Sequence, residues 1–193
     1  MPSTMTFEQA SGLFITYPTS YAALVTRANL QAGETVLVHA AAGGVGLAAV
    51  QIAKALGATV IATSSSQEKL DVVKSRAGAD YGVIYGKEGW QKEVLKITKG
   101  KGVDIVYDPV GLIVQSLKCI AWNGRLLVVG FAAGSIEKVP TNLVLLKNVS
   151  IVGIQWGAYQ KNEPDAIPGV WGALMDLLEN EKVVPVVYDK ICK

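Results

Sequence analysis

Short runs of β-branched and aliphatic residues alternate along this chain with longer segments whose apolar positions recur at helical spacing. Thr35 to Ala40 (TVLVHA) predicts a first strong strand, and Val45 to Leu56 (VGLAAVQIAKAL) an almost wholly apolar helix closed by Gly57. Thr59 to Thr63 predicts the second strand. Gln67 to Arg76 predicts a polar-faced helix with Leu70 and Val73 turned inward, and Tyr81 to Tyr85 a short third strand. Trp90 to Thr98 follows as a helix with Trp90, Val94 and Ile97 on one face. Val103 to Tyr107, Arg125 to Val129 and Asn148 to Ile154 complete a set of six strands. Upstream, Phe7 to Leu30 predicts two helical stretches broken at Pro18, since proline removes an amide donor and crowds the preceding turn. Downstream, a helix from Ile167 to Leu178 aligns Ile167, Val170, Leu174, Leu177 and Leu178, and the chain ends in the strand-like run VVPVVYDKICK. There is no internal repeat or low-complexity tract.

Strands separated by helical crossovers are the βαβ signature rather than that of a sandwich. Two halves of three strands each, joined by right-handed crossovers, predict an α/β protein of the doubly wound, dinucleotide-binding (Rossmann) type, a six-stranded parallel sheet with helices on both faces. Residues 1–30 then form a helical lead-in, 31–160 the nucleotide-binding domain and 161–193 a C-terminal helix and strand. Composition agrees: half of the 193 residues are apolar and 18% are charged, with a mean hydropathy of +0.33, which excludes a disordered chain. Parallel strands buried on both faces would absorb that apolar excess. No apolar stretch reaches the roughly 20 residues of a membrane span.

Charge and cysteine content narrow the function by exclusion. Eighteen basic against sixteen acidic residues, with no long run of either sign, argue against nucleic acid as the main partner. Two cysteines, Cys119 and Cys192, and one histidine, His39, are too few for a disulfide framework or a zinc cluster, so no metal site is expected. Met1 to Gln9 carries no secretory signal pattern, which makes the cytoplasm the expected location.

The chemistry-bearing motif lies between the first strand and its helix, where Ala41-Ala42-Gly43-Gly44-Val45-Gly46 is a variant of the GxGxxG fingerprint. Gly43 would let backbone approach a pyrophosphate, Gly46 would let helix and strand pack closely, and the helix N-terminus would offer free amides to the anion. Ala41 replaces the first glycine, which a tight turn tolerates while φ stays negative. The plainer reading is that these glycines only shape a turn. About twenty residues on, where an NAD-binding protein carries an acid for the adenosine ribose, the sequence reads Thr63-Ser64-Ser65-Ser66, with Lys69 just beyond. Hydroxyls and a cation there favour a 2′-phosphate and hence NADPH. Helix capping by these serines is equally expected.

Other nucleotide folds are excluded by what is absent. There is no P-loop, no Tyr-x-x-x-Lys pair of the short-chain reductases, no ribose-binding acid of a methyltransferase at the end of strand one or two, and no GxSxG elbow. His39, inside an apolar strand, reads as a buried and satisfied histidine rather than a catalytic base. Trp122 and Trp156 read as packing residues.

The runs VHAAAGGVGLAAVQIAKALGATVIAT, SSSQEKL, GADYGVIYGKE, GVDIVYDPVG and GRLLVVGFAAG closely resemble the cofactor domain of the zinc-independent, zeta-crystallin-like quinone oxidoreductases of the medium-chain dehydrogenase/reductase superfamily. The likeness extends from about Thr19 to Tyr188. It implies a hydroxyl near the nicotinamide at Thr19, and pyrophosphate binding by Ala42, Gly43, Gly44, Val45 and Gly46. It further implies an adenosine 2′-phosphate site at Ser64, Ser65, Lys69 and Tyr85, and a nicotinamide wall at Asp108, Val110, Gly111, Gly130 and Phe131. Tyr85 could instead merely end a strand, Asp108 cap a turn and Phe131 fill the core.

Family members begin with a GroES-like barrel domain and return to it after the cofactor fold, and neither part is present here. The chain is therefore expected to be an excised domain or a shortened product holding half of an active site, binding NADPH weakly and reducing substrate poorly. The resemblance implies hydride transfer to a quinone or enone, with no acid or base assignable in this chain. Two alternatives stand beside it: an enoyl-thioester reductase domain, and a non-enzymatic nucleotide-sensing or partner-binding domain. A homodimer through strand six is expected, because that apolar edge is otherwise unpaired.

Overall fold

The computed structural model describes residues 5–188, which form a six-stranded, all-parallel sheet. Its strands are β1 (Thr35–Val38), β2 (Thr59–Ser64), β3 (Tyr81–Ile84), β4 (Val103–Asp108), β5 (Ile120–Val128) and β6 (Ser150–Gly153). They lie in the order β3-β2-β1-β4-β5-β6. This is the expected doubly wound arrangement, with its switch point between β1 and β4. The helices are α1 (Phe7–Tyr21), α2 (Gly44–Ala55), α3 (Gln67–Ala77), α4 (Trp90–Ile97), α5 (Ile113–Ser116), α6 (Thr141–Lys147), α7 (Tyr159–Asn162) and α8 (Ala166–Glu179). No described helix is long and apolar enough to cross a membrane.

Alternation along the central strands divides the core into two layers. Val36 and Val38 of β1, Val60 and Ala62 of β2, and Ile105 and Tyr107 of β4 face α1, α2, α3 and α8. Leu37, Ile61 and Val106 face the opposite layer, with Trp90 and Val94 of α4, Ile113 of α5 and the adjoining Leu117. Strands apolar on both sides are thus buried on both sides, and the apolar excess of the composition resides there. The edges differ: β6 is largely exposed.

Four sequence expectations are corrected. The helix does not break at Pro18: α1 runs through it to Tyr21 and passes into a π-helical turn, Ala22–Arg27, marked by the amide of Ala28 reaching the Ala23 carbonyl at 2.9 Å. Burial of Leu13, Tyr17, Ala22, Ala23 and Leu24 against the sheet layer outweighs the roughly 3 kcal/mol helical penalty of proline. β5 begins at Ile120 rather than Arg125, because the turn-like Asn123-Gly124 pair is accommodated inside the strand, Asn123 at φ 62° and the register to β4 shifting beside it. Trp122, next to that irregularity, is exposed rather than packed. The terminal run 183–188 is not a strand. Its backbone lies on the helical layer, where the Gln51 side chain replaces a neighbouring strand: Gln51 Nε2 donates to the Val184 carbonyl (2.8 Å) and Gln51 Oε1 accepts from the Val184 amide (3.1 Å) and from Tyr17 Oη (2.8 Å). Residues 189–193 of that run, Cys192 included, lie outside the described residues.

At the opposite end of the sheet from the glycine loop, Arg125 makes a bidentate pair with Glu34 (2.8 and 2.7 Å) and donates to the Ala28 carbonyl (3.0 Å). Burial would raise the Glu34 pKa, but the hydrogen bond from Arg125, the Gln31 amide and the charge of Arg125 together outweigh it and hold that carboxyl below its ordinary value. A depressed carboxylate contributes stability above its unfolded-state pKa and loses it as pH falls through the folded value. Arg125→Met is expected to cost about 2 kcal/mol at neutral pH. It should also flatten the acid-side decline, as read by urea unfolding between neutral pH and pH 3.5. A variant as stable as wild type at pH 7 would contradict this.

Candidate functional site

The loops at the carboxyl ends of the strands build a cleft across the switch point. β1 ends at Val38, and Ala40 then takes a left-handed conformation at φ 45°. Such a conformation costs a non-glycine residue about 1–2 kcal/mol. The strain therefore sits at Ala40, one residue before the Ala41 that replaces the first fingerprint glycine. The Ala40 carbonyl accepts the Gly43 amide at 2.9 Å, and Gly43, in extended conformation, precedes α2 without providing a side-chain cap. The first amides of α2 thus have no side-chain acceptor, and Gly43 and Gly44 are exposed beside them. A Cβ on Gly46 would fall 2.5 Å from the Ala40 oxygen and 2.7 Å from Ala41 Cα, so helix and loop touch where only glycine fits.

Helix α1 flanks this loop. A Cβ on Gly44 would lie 3.0 Å from Thr16 Cγ2. Ser20 Oγ is 2.8 Å from the Val45 carbonyl and 2.8 Å from Tyr107 Oη, both within hydrogen-bond reach. Thr19 is half-buried on the same helix. Ser20 and Tyr107 are links between α1, the loop and β4 that no local sequence pattern announces, being 87 residues apart.

The proposed adenosine end comes together at β2 and β3. The Tyr85 amide donates to the Ser64 carbonyl at 3.2 Å, and Lys69 Nζ donates to Ser65 Oγ at 3.3 Å. Ser66 caps α3 by accepting the Lys69 amide at 3.4 Å. Ser64 is buried, Tyr85 half-buried, and Ser65 and Lys69 exposed. No carboxylate occupies the end of β2.

On the other side of the switch point, the buried Asp108 carboxylate accepts the amides of Val110 (2.8 Å), Gly111 (3.0 Å) and Leu112 (2.5 Å). Its side chain organises the turn, which is the capping reading of this residue. The loop after β5 is laced to it: the Val129 amide donates to the Asp108 carbonyl, and those of Ala132 and Ala133 to the carbonyls of Pro109 and Val110. Gly130 approaches the Pro109 carbonyl so closely that an added Cβ would lie 3.3 Å away. Phe131 is 46% exposed at the rim, which excludes the core reading.

His39 is fully buried, with Nδ1 2.8 Å from Thr63 Oγ1 and Nε2 2.8 Å from Ser116 Oγ. Burial lowers its pKa to about 4 despite the Asp108 charge nearby, so the ring is neutral at physiological pH. It is satisfied, as the sequence suggested. Burial also pushes the Cys119 thiol up to about 12. Among the described residues, no three His, Cys, Asp or Glu side chains are grouped to hold a metal ion.

Residues 44–176 match the family profile described as zinc-binding dehydrogenase. A quinone oxidoreductase-like protein 2 homolog of Nematostella vectensis is 42% identical over 186 residues, covering 95% of this chain and 50% of that protein. The quinone oxidoreductase of Thermus thermophilus, whose structure was also determined with NADPH, superposes with a TM-score of 0.85 at 31% identity, over 97% of this chain and 59% of that one. The CurK enoyl reductase superposes with a TM-score of 0.86 at 31% identity, over 97% and 56% of the two chains. This chain spans about half the length of the curated relatives it matches. With the profile running from Gly44, within the glycine loop, through most of α8, and a relative 42% identical over 95% of this chain, the chain belongs to the zinc-binding dehydrogenase family, among the quinone oxidoreductase-like members of the medium-chain dehydrogenase/reductase superfamily.

Proposed function

We propose that this chain is the NADPH-binding part of a zinc-independent oxidoreductase acting on a quinone or an α,β-unsaturated carbonyl. One observation carries the reading: an uncapped α2 N-terminus behind exposed glycines, continuous along the sheet edge with a carboxylate-free β2 end that presents Ser65 and Lys69. That arrangement fits a dinucleotide with an extra phosphate. The close contact at Gly46 brings the first amides of α2 up to the loop. Ala42, Gly43, Gly44, Val45 and Gly46 would hold the pyrophosphate, and Ser64, Ser65, Lys69 and Tyr85 the adenosine 2′-phosphate. Thr19, Asp108, Val110, Gly130 and Phe131 would border the nicotinamide. When bound, NADPH supplies the hydride. The chain's own residues bind and orient: Lys69 neutralises charge, the glycine loop offers amides, and Asp108 fixes the turn beneath the nicotinamide. His39, the chain's one histidine, has both ring nitrogens engaged within the fold and is not free to serve as a metal ligand, which agrees with the zinc-independent reading.

The likeness to an enoyl reductase favours a second substrate class, enoyl thioesters. Titrating the chain with NADPH and NADH, then following NADPH oxidation by the full-length parent with a quinone, an enone and an enoyl thioester, separates the readings. Saturable NADPH binding with weak turnover by the chain alone is expected. Failure to bind NADPH would refute the proposal, and turnover of the thioester alone would transfer it to the second class.

The partner expected at strand six remains a proposal. β6 leaves Ile151 37% exposed, and nearby in sequence Leu145 and Leu146 of α6 are 79% and 69% exposed. A second copy pairing at that edge would cover backbone groups of β6 left without a strand partner, the Gly153 carbonyl alone being engaged by Arg27 among the described residues, in an enzyme we place in the cytoplasm. A monomer at high concentration in sedimentation would contradict the pairing.

A further inference from the structure

The polar groups beneath the cleft are linked from the Asp108 turn to β2 by hydrogen bonds that meet at the backbone of Leu112. The linkage starts at the Asp108 carboxylate, which accepts the amides of residues 110, 111 and 112. Ser116 Oγ donates to the Leu112 carbonyl at 2.7 Å, so that oxygen meets His39 Nε2 as an acceptor. His39 therefore carries its proton on Nε2. Its Nδ1 accepts from Thr63 Oγ1, whose other acceptor, the Val38 carbonyl, is more distant at 3.4 Å. His39, Thr63 and Ser116 are all wholly buried, and each proton has one well-placed destination.

These residues sit at the ends of the elements that line the cleft. Thr63 precedes Ser64 and Ser65 at the adenosine end, and Ser116 closes the short helix after the Asp108 turn on the nicotinamide side. His39 immediately precedes Ala40, whose left-handed conformation aims the carbonyl that organises Gly43 and abuts Gly46. Strain of that kind persists only where its surroundings fix it. Here the His39 amide is tied to the Tyr107 carbonyl and the Ala41 amide to the Thr63 carbonyl, both at 3.0 Å. Trp90 and Tyr85 present ring edges or faces to the imidazole at centroid distances of 5.2 and 6.4 Å, restricting its rotation.

We propose that His39 is a positioning residue for the cofactor, a strut that holds segments 39–46, 63–65 and 108–112 at fixed separations so that both halves of NADPH are met at once. This role rests on the NADPH reading above. A ligand half needs only its own segment, whereas the whole cofactor gains from linkage only if the segments are in register. The strut is therefore visible as a difference between whole and parts.

The test titrates the 193-residue chain with NADPH, with 2′,5′-ADP and with reduced nicotinamide mononucleotide, in wild type, His39→Leu and His39→Gln. His39→Leu leaves two buried hydroxyls without their partner, and NADPH affinity should fall roughly tenfold or more, while each half changes by less than about threefold. Glutamine offers one donor and one acceptor and should restore NADPH affinity to within about threefold of wild type. The imidazole ¹⁵N spectrum of wild type should show a protonated Nε2 and a bare Nδ1. Undiminished NADPH binding by His39→Leu, or equal losses for whole and halves with no rescue by glutamine, overturns the strut. A wild-type chain that binds no NADPH overturns the cofactor reading and the strut with it. Should His39→Leu fail to fold, Thr63→Val and Ser116→Ala each cut one side. About threefold weaker NADPH binding supports the role, and unchanged binding in both overturns it.

Discussion

Replacing Gly46 with alanine should lower the thermal unfolding midpoint by about 10 °C and abolish measurable NADPH binding. The added carbon would fall 2.5 Å from the Ala40 oxygen, 2.7 Å from Ala41 Cα and 2.9 Å from the Ala41 carbonyl carbon, all backbone atoms. None can swing aside as a side-chain tip would. The helix must back away from the loop, and overpacking of this kind costs at the upper end of its usual range, about 3 kcal/mol. Retreat of α2 also removes its N-terminal amides from the pyrophosphate position, so binding is lost beyond what stability explains. Gly44→Ala is the control for stability: its nearest contact is the Thr16 methyl at 3.0 Å, on a half-buried side chain that can yield. A melting curve and an NADPH titration on both variants decide the matter. A Gly46→Ala chain that melts and binds like wild type would remove the close-contact argument.

The second large effect concerns which cofactor is chosen. Lys69→Glu should weaken NADPH binding roughly tenfold to a hundredfold while leaving NADH within about threefold. Lys69 extends from the first turn of α3 toward Ser65, at an edge where no acid opposes a phosphate. Reversing its charge replaces an attraction with a repulsion against a dianionic group. Because Lys69 is exposed, the effect should shrink as salt is raised from low to physiological concentration. An unchanged ratio of NADPH to NADH affinity would assign Lys69 to the solvated surface and leave the phosphate to Ser64, Ser65, Tyr85 and the α3 N-terminus.

The central strands were legible because Val and Ile runs such as TVIAT and VDIVY have no other stable home than a sheet covered on both faces. The glycine loop was legible because its position between strand and helix gives its spelling a meaning. Where local propensity met tertiary packing, packing decided the outcome. Proline argues against a helix at residue 18, yet the neighbouring Leu13, Tyr17 and Ala22 are buried only if the helix continues. Val183, Val184 and Val187 have strand propensity, but the Val184 backbone is bonded by the side chain of Gln51 and the Val183 amide by the Leu177 carbonyl rather than by another strand. The buried polar contacts of the site were the least legible. His39 meets Thr63 and Ser116 across 24 and 77 residues, and Ser20 meets Tyr107 across 87. No periodicity or spacing links such pairs before the fold exists.

The π-helical turn at Ala22–Arg27 has a bearing on how this protein can tolerate change. One residue more than an α-turn holds rotates the helix upstream by about 100° relative to the chain that follows. That offset lets α1 direct Thr16 and Ser20 at the glycine loop while Leu24, Ala28 and Leu30 enter the core. Deleting a single residue there would relax the turn to ordinary geometry and swing both hydroxyl-bearing side chains away from the loop, with every one of their codons intact. A length change inside this segment is thus equivalent to a multiple substitution at the cleft.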